Sequence, residues 1–441
     1  MVSLSVPMMG GIFSAIAFNL ADTYFVALLG TRELAAMSFT FPVVMVLIGV
    51  AWGLGTGTIS VVSRAVGRGD TRFVKRLCSD SLTLGFLAVL LLAGLGTLTI
   101  DPMFRFLGAS EDLLPLIADY MEIWYLGMIF LVVPMVANAS IRACGDTRTP
   151  ALIIIAATAS NIVMDPILIF GWMGVPAMGL RGAAIATVIA RSGTMVATLL
   201  ILHYREHLLD LRIPRFREVW NSWKAIGEVA LPATVTNILV PFGSAVITRL
   251  VAEHGPSAVA AWGVGSRLSA FVLIPINGYC SGLVPFVGQN WGAGLLDRVR
   301  SARNLGYGFA LAWGVLTLAV LALWGDRIAT LFTSDEVVLS EITRYLAAIP
   351  FGYALAGVFN VTEETLNTIG RPILAAAQTF VHTFALAIPL ALYGERVAGL
   401  DGIYYGIVAA DWGGGLFGLA VAAWSCRACF VVAKRELAQA D

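Results

Sequence analysis

The stretch PMMGGIFSAIAFNLADTYFVALLG at residues 7–30 has a counterpart at residues 232–255, PATVTNILVPFGSAVITRLVAEHG. Both begin with proline and end with glycine, and Pro7 and Pro232 are 225 residues apart. The same offset pairs later glycines without a gap: Gly53 with Gly278, Gly57 with Gly282, Gly67 with Gly292, and Gly69 with Gly294. GLRG at 179–182 also matches GLDG at 399–402 after a short deletion. The sequence is therefore predicted to contain two copies of one structural unit.

The amino-acid composition predicts that both copies lie in a membrane. Of the 441 residues, 58% are hydrophobic and only 13% are charged, whereas soluble domains contain roughly 25% charged residues. The formal net charge is zero, which gives no electrostatic support for binding nucleic acid. We therefore expect an all-α polytopic membrane protein with no nucleic-acid partner.

Hydropathy predicts twelve transmembrane helices. They cover residues 3–28, 34–59, 79–100, 116–143, 148–172, 180–204, 224–250, 256–286, 304–324, 341–370, 372–394 and 403–430. The predicted domains are an N-terminal lobe at 1–204, a cytoplasmic linker at 205–223 and a C-terminal lobe at 224–441. Six spans per copy give both copies the same orientation, so the two six-helix lobes are expected to be related by a pseudo-twofold axis along the membrane normal.

Basic residues orient the predicted spans. They concentrate in the linker and in the other loops on its side of the membrane, and they are sparse in the opposite loops. This distribution predicts that both termini are cytoplasmic. The first apolar run has no basic leader and is interpreted as a retained span rather than a signal peptide. The expected location is the inner membrane of a bacterial or archaeal cell.

The two copies differ in their polar residues. The first copy carries polar side chains where the second carries apolar ones: Asp22 opposite Ile247, Asn161 near Phe384, Asp165 near Ile388, and Thr187 opposite Ile407. Asn161 and Asp165 are four residues apart and lie on one helix face. Helical rise places Asp22, Asp165 and Thr187 in the outer half of the bilayer. Two carboxylates, an amide and a hydroxyl at similar depth predict a site for a proton or a hard cation such as Na⁺.

Each of these residues also has a plainer interpretation. Asp22 can extend to the interface from near a helix end, and Asn161 can bridge two helices by a hydrogen bond. Thr187 can be a small packing residue, and Pro7 an ordinary membrane kink.

Three motifs carry a family resemblance: ADTYFVALLG in span one, IRACGDTRTP after span four and NIVMDP in span five. With these motifs, the chain resembles the multidrug and toxic compound extrusion (MATE) family over its whole length. An aspartate in span one together with Asn-x-x-x-Asp in span five resembles the pattern of the DinF-like prokaryotic branch. The resemblance implies a V-shaped, monomeric antiporter that exchanges H⁺ or Na⁺ for amphipathic, often cationic drugs and that contacts membrane lipids. It assigns the coupling site to Asp22, Asn161 and Asp165 with Thr187, which are metal ligands only if Na⁺ is the ion. It makes Pro7 a bend point and implies no cofactor.

Other polar residues in the spans are candidates for a substrate cavity: Asn19, Asn138, Arg191, Arg267 and Asp411. Asp411 aligns with Arg191 in the repeat. Arg267 is interpreted as a positive cavity wall or, alternatively, as a structural bridge to a carbonyl. Glu363 and Glu364 lie toward the cytoplasmic end of their span and are interpreted as interfacial.

Three other functional classes are less well supported. The sequence has no G-x-x-x-x-G-K-[ST] motif, so ATP-driven transport by this chain is not expected. A lipid-linked precursor flippase of a related exporter family remains the alternative, although such proteins resemble fourteen-span chains with a basic cavity. An enzyme is not expected, because the histidines, including His382, are placed near loops or span ends and no nucleophile–base set is apparent.

Overall fold

The computed structural model describes residues 1–210, 212 and 214–438, and within these the regular structure is helical. The α-helices are α1 (Val2–Ala27), α2 (Thr31–Gly67), α3 (Thr71–Leu98), α4 (Ile100–Phe106), α5 (Leu114–Gly127), α6 (Ile129–Ala143), α7 (Arg148–Phe170), α8 (Gly179–Leu200), α9 (Phe216–Ala252), α10 (Pro256–Val272), α11 (Ile274–Gly292), α12 (Leu296–Ala329), α13 (Glu336–Ala348), α14 (Tyr353–Thr368), α15 (Pro372–Phe380) and α16 (Ile388–Ala438). Two π-helical segments, Ile201–Arg205 and Val381–Ala387, extend α8 and join α15 to α16.

These helices account for the twelve predicted spans. In the described part of the chain, nine helices are long and apolar enough to cross a membrane, and two bent pairs, α10 with α11 and α13 with α14, bring the number to eleven. The last of the nine, Pro372–Ala423, is interrupted by non-helical backbone at Ala398 and Gly399, which divides it into two spans. The all-α, twelve-helix fold is therefore confirmed.

The chain packs into two compact units. The first unit is Pro7–Thr234, and the second unit is Met1–Val6 together with the chain from Val235 onward. The packing boundary therefore falls inside α1 and α9, whereas the sequence places the division in the linker at 205–223. Hydropathy identifies spans but not their packing partners, so the membrane topology and the packing boundary need not coincide.

Two repeat-equivalent glycines show why the boundary lies inside these helices. A Cβ on Gly57 of α2 would lie 2.7 Å from the Ile226 carbonyl oxygen in α9, and one on Gly282 of α11 would lie 2.7 Å from Ser5 Oγ in α1. Each half of the sequence thus packs its second span against the beginning of the other half's first span. Small residues permit such close approach of helices in a membrane.

The repeated GLRG and GLDG motifs also make equivalent contacts. Gly182 of α8 lies against α7, where an added Cβ would be 2.5 Å from the Leu168 carbonyl oxygen, and Gly402 lies against the backbone of Gly394 across the break in α16. A side chain at either position would collide with rigid main chain. The glycines shared by the two copies therefore serve helix packing.

Candidate functional site

The predicted coupling residues lie on three helices of the first unit. Asp22 of α1 is buried, with 8% of its surface exposed, and Asn161 and Asp165 of α7 are fully buried. Asn161 Nδ2 donates a hydrogen bond to Thr187 Oγ1 of α8 at 3.4 Å. The four-residue spacing on α7 places both polar side chains on a face that is closed to solvent.

Several oxygens in this cluster have no hydrogen-bond donor. In the described part of the chain, Asp22 Oδ1, Asn161 Oδ1 and both carboxylate oxygens of Asp165 are buried without a donor in normal geometry. An unsatisfied buried acceptor costs roughly 1–3 kcal/mol, and more when it is charged. A bound proton or cation would satisfy these oxygens, so the arrangement is typical of an ion site.

An arginine and a tyrosine complete the electrostatic surroundings. Arg191 of α8 interacts electrostatically with Asp22, and its guanidinium lies 5.8 Å from the centre of the Phe18 ring. Tyr120 of α5 is buried and interacts with Asp22, Asp165 and Arg191. The cluster therefore combines two carboxylates, one fixed cation and one phenol.

Tyr120 is the member of this cluster that sequence reasoning missed. Under the 225-residue offset it aligns with Tyr345, so it is a shared position and not one of the differences between the copies. In the comparison of the two copies, residues that both copies share are interpreted as structural and not as functional. A tyrosine that both copies share therefore gives no signal of a coupling role in the sequence.

A small cavity lies beside the cluster. Its volume is about 10 Å³, roughly the room that one water molecule needs, and it lies between α5, α6 and α8; Thr187 and Arg191 are among its lining residues, with Trp124, Met128 and Leu131. Thr187 and Arg191 thus line a cavity, while Thr187 accepts a hydrogen bond from Asn161 and Arg191 interacts electrostatically with Asp22.

The donor set suits a small cation or a proton. Carboxylate, amide and hydroxyl oxygens are hard ligands. Among the residues that the structure describes, no group of three or more His, Cys, Asp or Glu side chains is arranged to hold a metal ion. Two carboxylates with neutral oxygens fit H⁺ or a weakly held monovalent cation better than a divalent metal.

The structure does not bring every predicted cavity residue to this cluster. Asn19 is exposed on α1, and its side-chain amide donates to the Ala15 carbonyl of the same helix. Asn138 of α6 has a buried Oδ1 with no donor in the described chain. In the second unit, Arg267 is exposed on α10, and Asp411 of α16 pairs with His382.

The expectation that the histidines lie near loops or span ends is wrong for His382. This residue belongs to the π-helical segment that joins α15 to α16, and its Nε2 lies 3.0 Å from Asp411 Oδ1. Because the π-helical segment continues the span, His382 lies well inside it. Glu363 and Glu364 of α14 are half-buried; both interact with Cys280, and Thr379 donates to Glu363.

The chain matches known proteins over nearly its full length. The MatE family model matches residues 7–167 and again 232–393. The chain is 36% identical over 403 residues to the FAD transporter of Shewanella oneidensis, covering 91% of this chain and 89% of the relative. It is 26% identical over 415 residues to the multidrug export protein MepA of Staphylococcus aureus, covering 93% and 90%. Among solved structures, the bent form of the Vibrio cholerae MATE transporter VcmN has a TM-score of 0.90 and 28% identity, covering 97% and 96%. The two family matches begin 225 residues apart, as the internal repeat does.

Proposed function

Because the chain belongs to the MatE family of membrane transporters, and is therefore not an enzyme, we propose that it is a cation-coupled exporter of small amphipathic molecules. The proposal rests on one observation: among the residues that the structure describes, buried oxygens of Asp22, Asn161 and Asp165 have no hydrogen-bond donor in normal geometry. An ionisable side chain inside a membrane span is expensive and indicates a functional site. An ion that enters and leaves this site can drive the transport of a second solute.

Coupling follows from the placement of Asp22 on a different helix from Asn161 and Asp165. A proton or Na⁺ that binds the cluster neutralises it and holds α1 against α7. When the ion leaves, the Arg191 guanidinium compensates the charge of Asp22, and α1 is free to move. Export is coupled if the two positions of α1 differ in substrate affinity, since a ligand shifts only an equilibrium between states that it binds differently. Pro7, at the packing boundary, is the proposed bend point of α1.

The proposed substrates include the amphipathic drugs that multidrug export relatives suggest. The curated relatives include the multidrug export protein MepA of Staphylococcus aureus. The exporter is proposed to be a monomer in the inner membrane with both termini cytoplasmic, as the basic loops predict. The lipid-linked precursor flippase is not favoured by these relatives.

A flavin dinucleotide is a second candidate substrate, and Arg267 favours it. The 36% identical relative is named an FAD transporter. Arg267 is exposed on α10, and the rise from Pro256 places it roughly 16 Å from the outer end of the helix. Within the described residues it has no ion pair, and an arginine at this depth normally faces water or a partner rather than lipid. Its guanidinium would attract a pyrophosphate and repel a cationic drug.

Uptake into everted vesicles, which is the export direction in this orientation, tests the proposal with two probes, ethidium and FAD. The pH gradient and the Na⁺ gradient are collapsed separately. We expect export to stop when the coupling gradient is lost, which identifies the ion. Export that survives both collapses would refute cation coupling. Arg267→Gln should reduce FAD export without reducing ethidium export, because the guanidinium attracts a pyrophosphate and repels a cation. Equal export of FAD by wild type and variant would contradict a role of Arg267 in FAD binding.

A further inference from the structure

The second unit contains a histidine–carboxylate pair in the middle of a span. His382 Nε2 and Asp411 Oδ1 are 3.0 Å apart, and 24% and 15% of the two side chains are exposed. The helical rise from Pro372 places His382 roughly 15 Å from the cytoplasmic end of α15. Both groups therefore lie near the centre of a hydrocarbon layer that is about 30 Å thick.

The surrounding backbone leaves room for this pair. A Cβ on Gly414 would lie 2.5 Å from His382 Cδ2, and one on Gly352 would collide with Asp411 Oδ2. The His382 ring also packs against Phe359, with 4.9 Å between ring centres. His382 belongs to a π-helical segment, a rare form that is frequent at functional sites. Any side chain at either glycine would displace one partner of the pair.

The pair is the counterpart of the charged contact in the first unit. Asp411 occupies the repeat position of Arg191, and Arg191 interacts with Asp22. In the first unit this position supplies the cation for a carboxylate, and in the second it supplies the carboxylate for a histidine. Each unit thus buries a titratable group opposite the same position of its sixth span.

The other ionisable groups near the pair have partners of their own. Tyr345 of α13 and Tyr353 of α14 interact electrostatically with Asp411, and their hydroxyls lie 2.8 and 2.6 Å from Ser269 Oγ. Arg344 of α13 pairs with Glu341 and Asp401.

On α14, Glu363 and Glu364 also neighbour Cys280, and Thr379 donates to Glu363. In the described part of the second unit, His382 is therefore the basic side chain that pairs with Asp411.

We propose that His382 and Asp411 form a second proton-binding site, which takes up and releases one proton in each transport cycle. This inference rests on the proposed function, because a coupling proton has meaning only in an ion-driven exporter. The proton binds at the His382 imidazole and makes an ion pair with Asp411. Its release leaves a neutral imidazole and an uncompensated carboxylate. Histidine is the side chain whose ordinary titration falls between about pH 5 and 8.

The site is placed where a change of charge can move a helix. Gly352, which contacts Asp411, lies between Ile349–Phe351 and α14, where the α13–α14 pair bends by 51°. Loss of the proton removes the attraction that holds the Asp411 carboxylate on the side of His382. The carboxylate is then free to change its contact with Gly352 at the bend, so that protonation is linked to the angle of this span.

The test compares His382→Gln with His254→Gln in everted vesicles, with ethidium as the probe. Glutamine can donate a hydrogen bond to Asp411 but cannot titrate, so it preserves a structural contact and removes the proton site. His254 is the matched control, because its Nε2 lies 3.9 Å from Glu395 Oε1 in the same unit. We expect His382→Gln to exchange one proton fewer per ethidium and to lose one ionisation from the pH profile of export, while His254→Gln behaves as wild type. A wild-type proton count and pH profile in His382→Gln would overturn the proposal.

A second measurement does not depend on transport. Histidine-labelled protein in detergent gives a separate nuclear magnetic resonance signal for His382, identified by its loss in His382→Gln. Asp411→Asn should shift that signal, because the amide removes the ion-pair partner of the imidazole, and an unchanged signal would overturn the proposal. Asp22→Asn, measured in parallel, separates the two proposals. If Asp22→Asn stops export and His382→Gln changes neither proton count nor pH profile, the second site fails and the proposed function stands. If export persists in Asp22→Asn with both gradients collapsed, the proposed function fails and the second site fails with it.

Discussion

At one repeat position the first unit buries Asp22 and the second buries Ile247, and the two are similarly enclosed, with 8% and 5% exposed. Ile247 packs in an apolar cluster that includes Ile403 and Tyr404. Asp22 instead interacts electrostatically with Asp165 and Arg191. An apolar residue therefore fills this position without loss of the fold. The carboxylate contributes nothing that packing requires, and its presence in the first unit indicates a functional role.

The shared positions teach the complementary lesson. Gly57 and Gly282 permit the same close helix contact, and Tyr120 and Tyr345 are buried at equivalent positions. Yet Tyr120 interacts with the two carboxylates of the coupling cluster, whereas Tyr345 shares a hydrogen bond with Ser269 and interacts with Asp411. Similar scaffolds thus hold different chemistry, and substitutions at paired positions can separate the two roles.

The largest difference is expected at Asp22 and Ile247. Asp22→Asn should reduce export to the level of vesicles without the protein, because the amide is nearly the same size but cannot exchange a cation. Ile247→Asn should retain export per folded molecule, although a buried amide without partners lowers stability by roughly 1–3 kcal/mol. Ethidium efflux, normalised to the amount of folded protein in the membrane, measures both.

Two results would break this comparison. If Ile247→Asn abolishes export of well-folded protein, the difference between the copies does not mark function. If Asp22→Asn exports normally, the first-unit cluster is not the coupling site. Asp165→Asn is a third variant for this comparison. It should reduce export as Asp22→Asn does, because the two carboxylates belong to one cluster.

A smaller difference is expected between the paired prolines. Pro7 lacks the backbone N–H that would reach the Ser3 carbonyl, so α1 is weakened where its packing passes from the second unit to the first. Pro232 lies near the equivalent boundary in α9, which carries Ile247 instead of an acid. Pro7→Ala should lower ethidium export severalfold, and Pro232→Ala should have little effect. Equal effects would mean that both prolines are static kinks.

Much of this architecture could be predicted from the sequence. Twelve spans follow from apolar runs, and the four-residue spacing of Asn161 and Asp165 correctly places both on a buried face. The packing boundary could not be predicted, because Gly57 and Gly282 show only that some helix approaches closely. The His382–Asp411 pair could not be predicted from the sequence either. The π-helical segment changes the register after Phe380, so a 3.6-residue period no longer predicts which side chains face α16.

The smallest effect is expected at Asp146, in the loop before α7. Its Oδ1 accepts hydrogen bonds from the backbone N–H groups of Arg148 and Thr149 at 2.9 and 3.0 Å, and Arg205 Nη2 donates to its Oδ2 at 3.1 Å. The repeat offset aligns Asp146 with Arg371, so the second unit has no carboxylate at this position. Partial burial alone would raise the pKa of Asp146, but the Thr149 and Arg148 hydrogen bonds and the Arg205 charge together hold it below its ordinary value.

A lowered pKa in the folded state fixes the sign of the pH dependence. The stabilisation from Asp146 is present above the unfolded-state pKa of about 3.9 and is lost as pH falls through the lower folded-state value. Asp146→Asn should therefore reduce the stability of the first unit by about 1 kcal/mol at neutral pH, since its partner Arg205 is exposed and screened by solvent. The difference from wild type should shrink below about pH 4, where wild type loses the same charge.

Thermal unfolding in detergent at several pH values measures this, with Asp112→Asn as a control at an exposed carboxylate 3.9 Å from Arg32. A difference that stays constant down to the acid limit would mean that Asp146 acts through its shape and not through its charge.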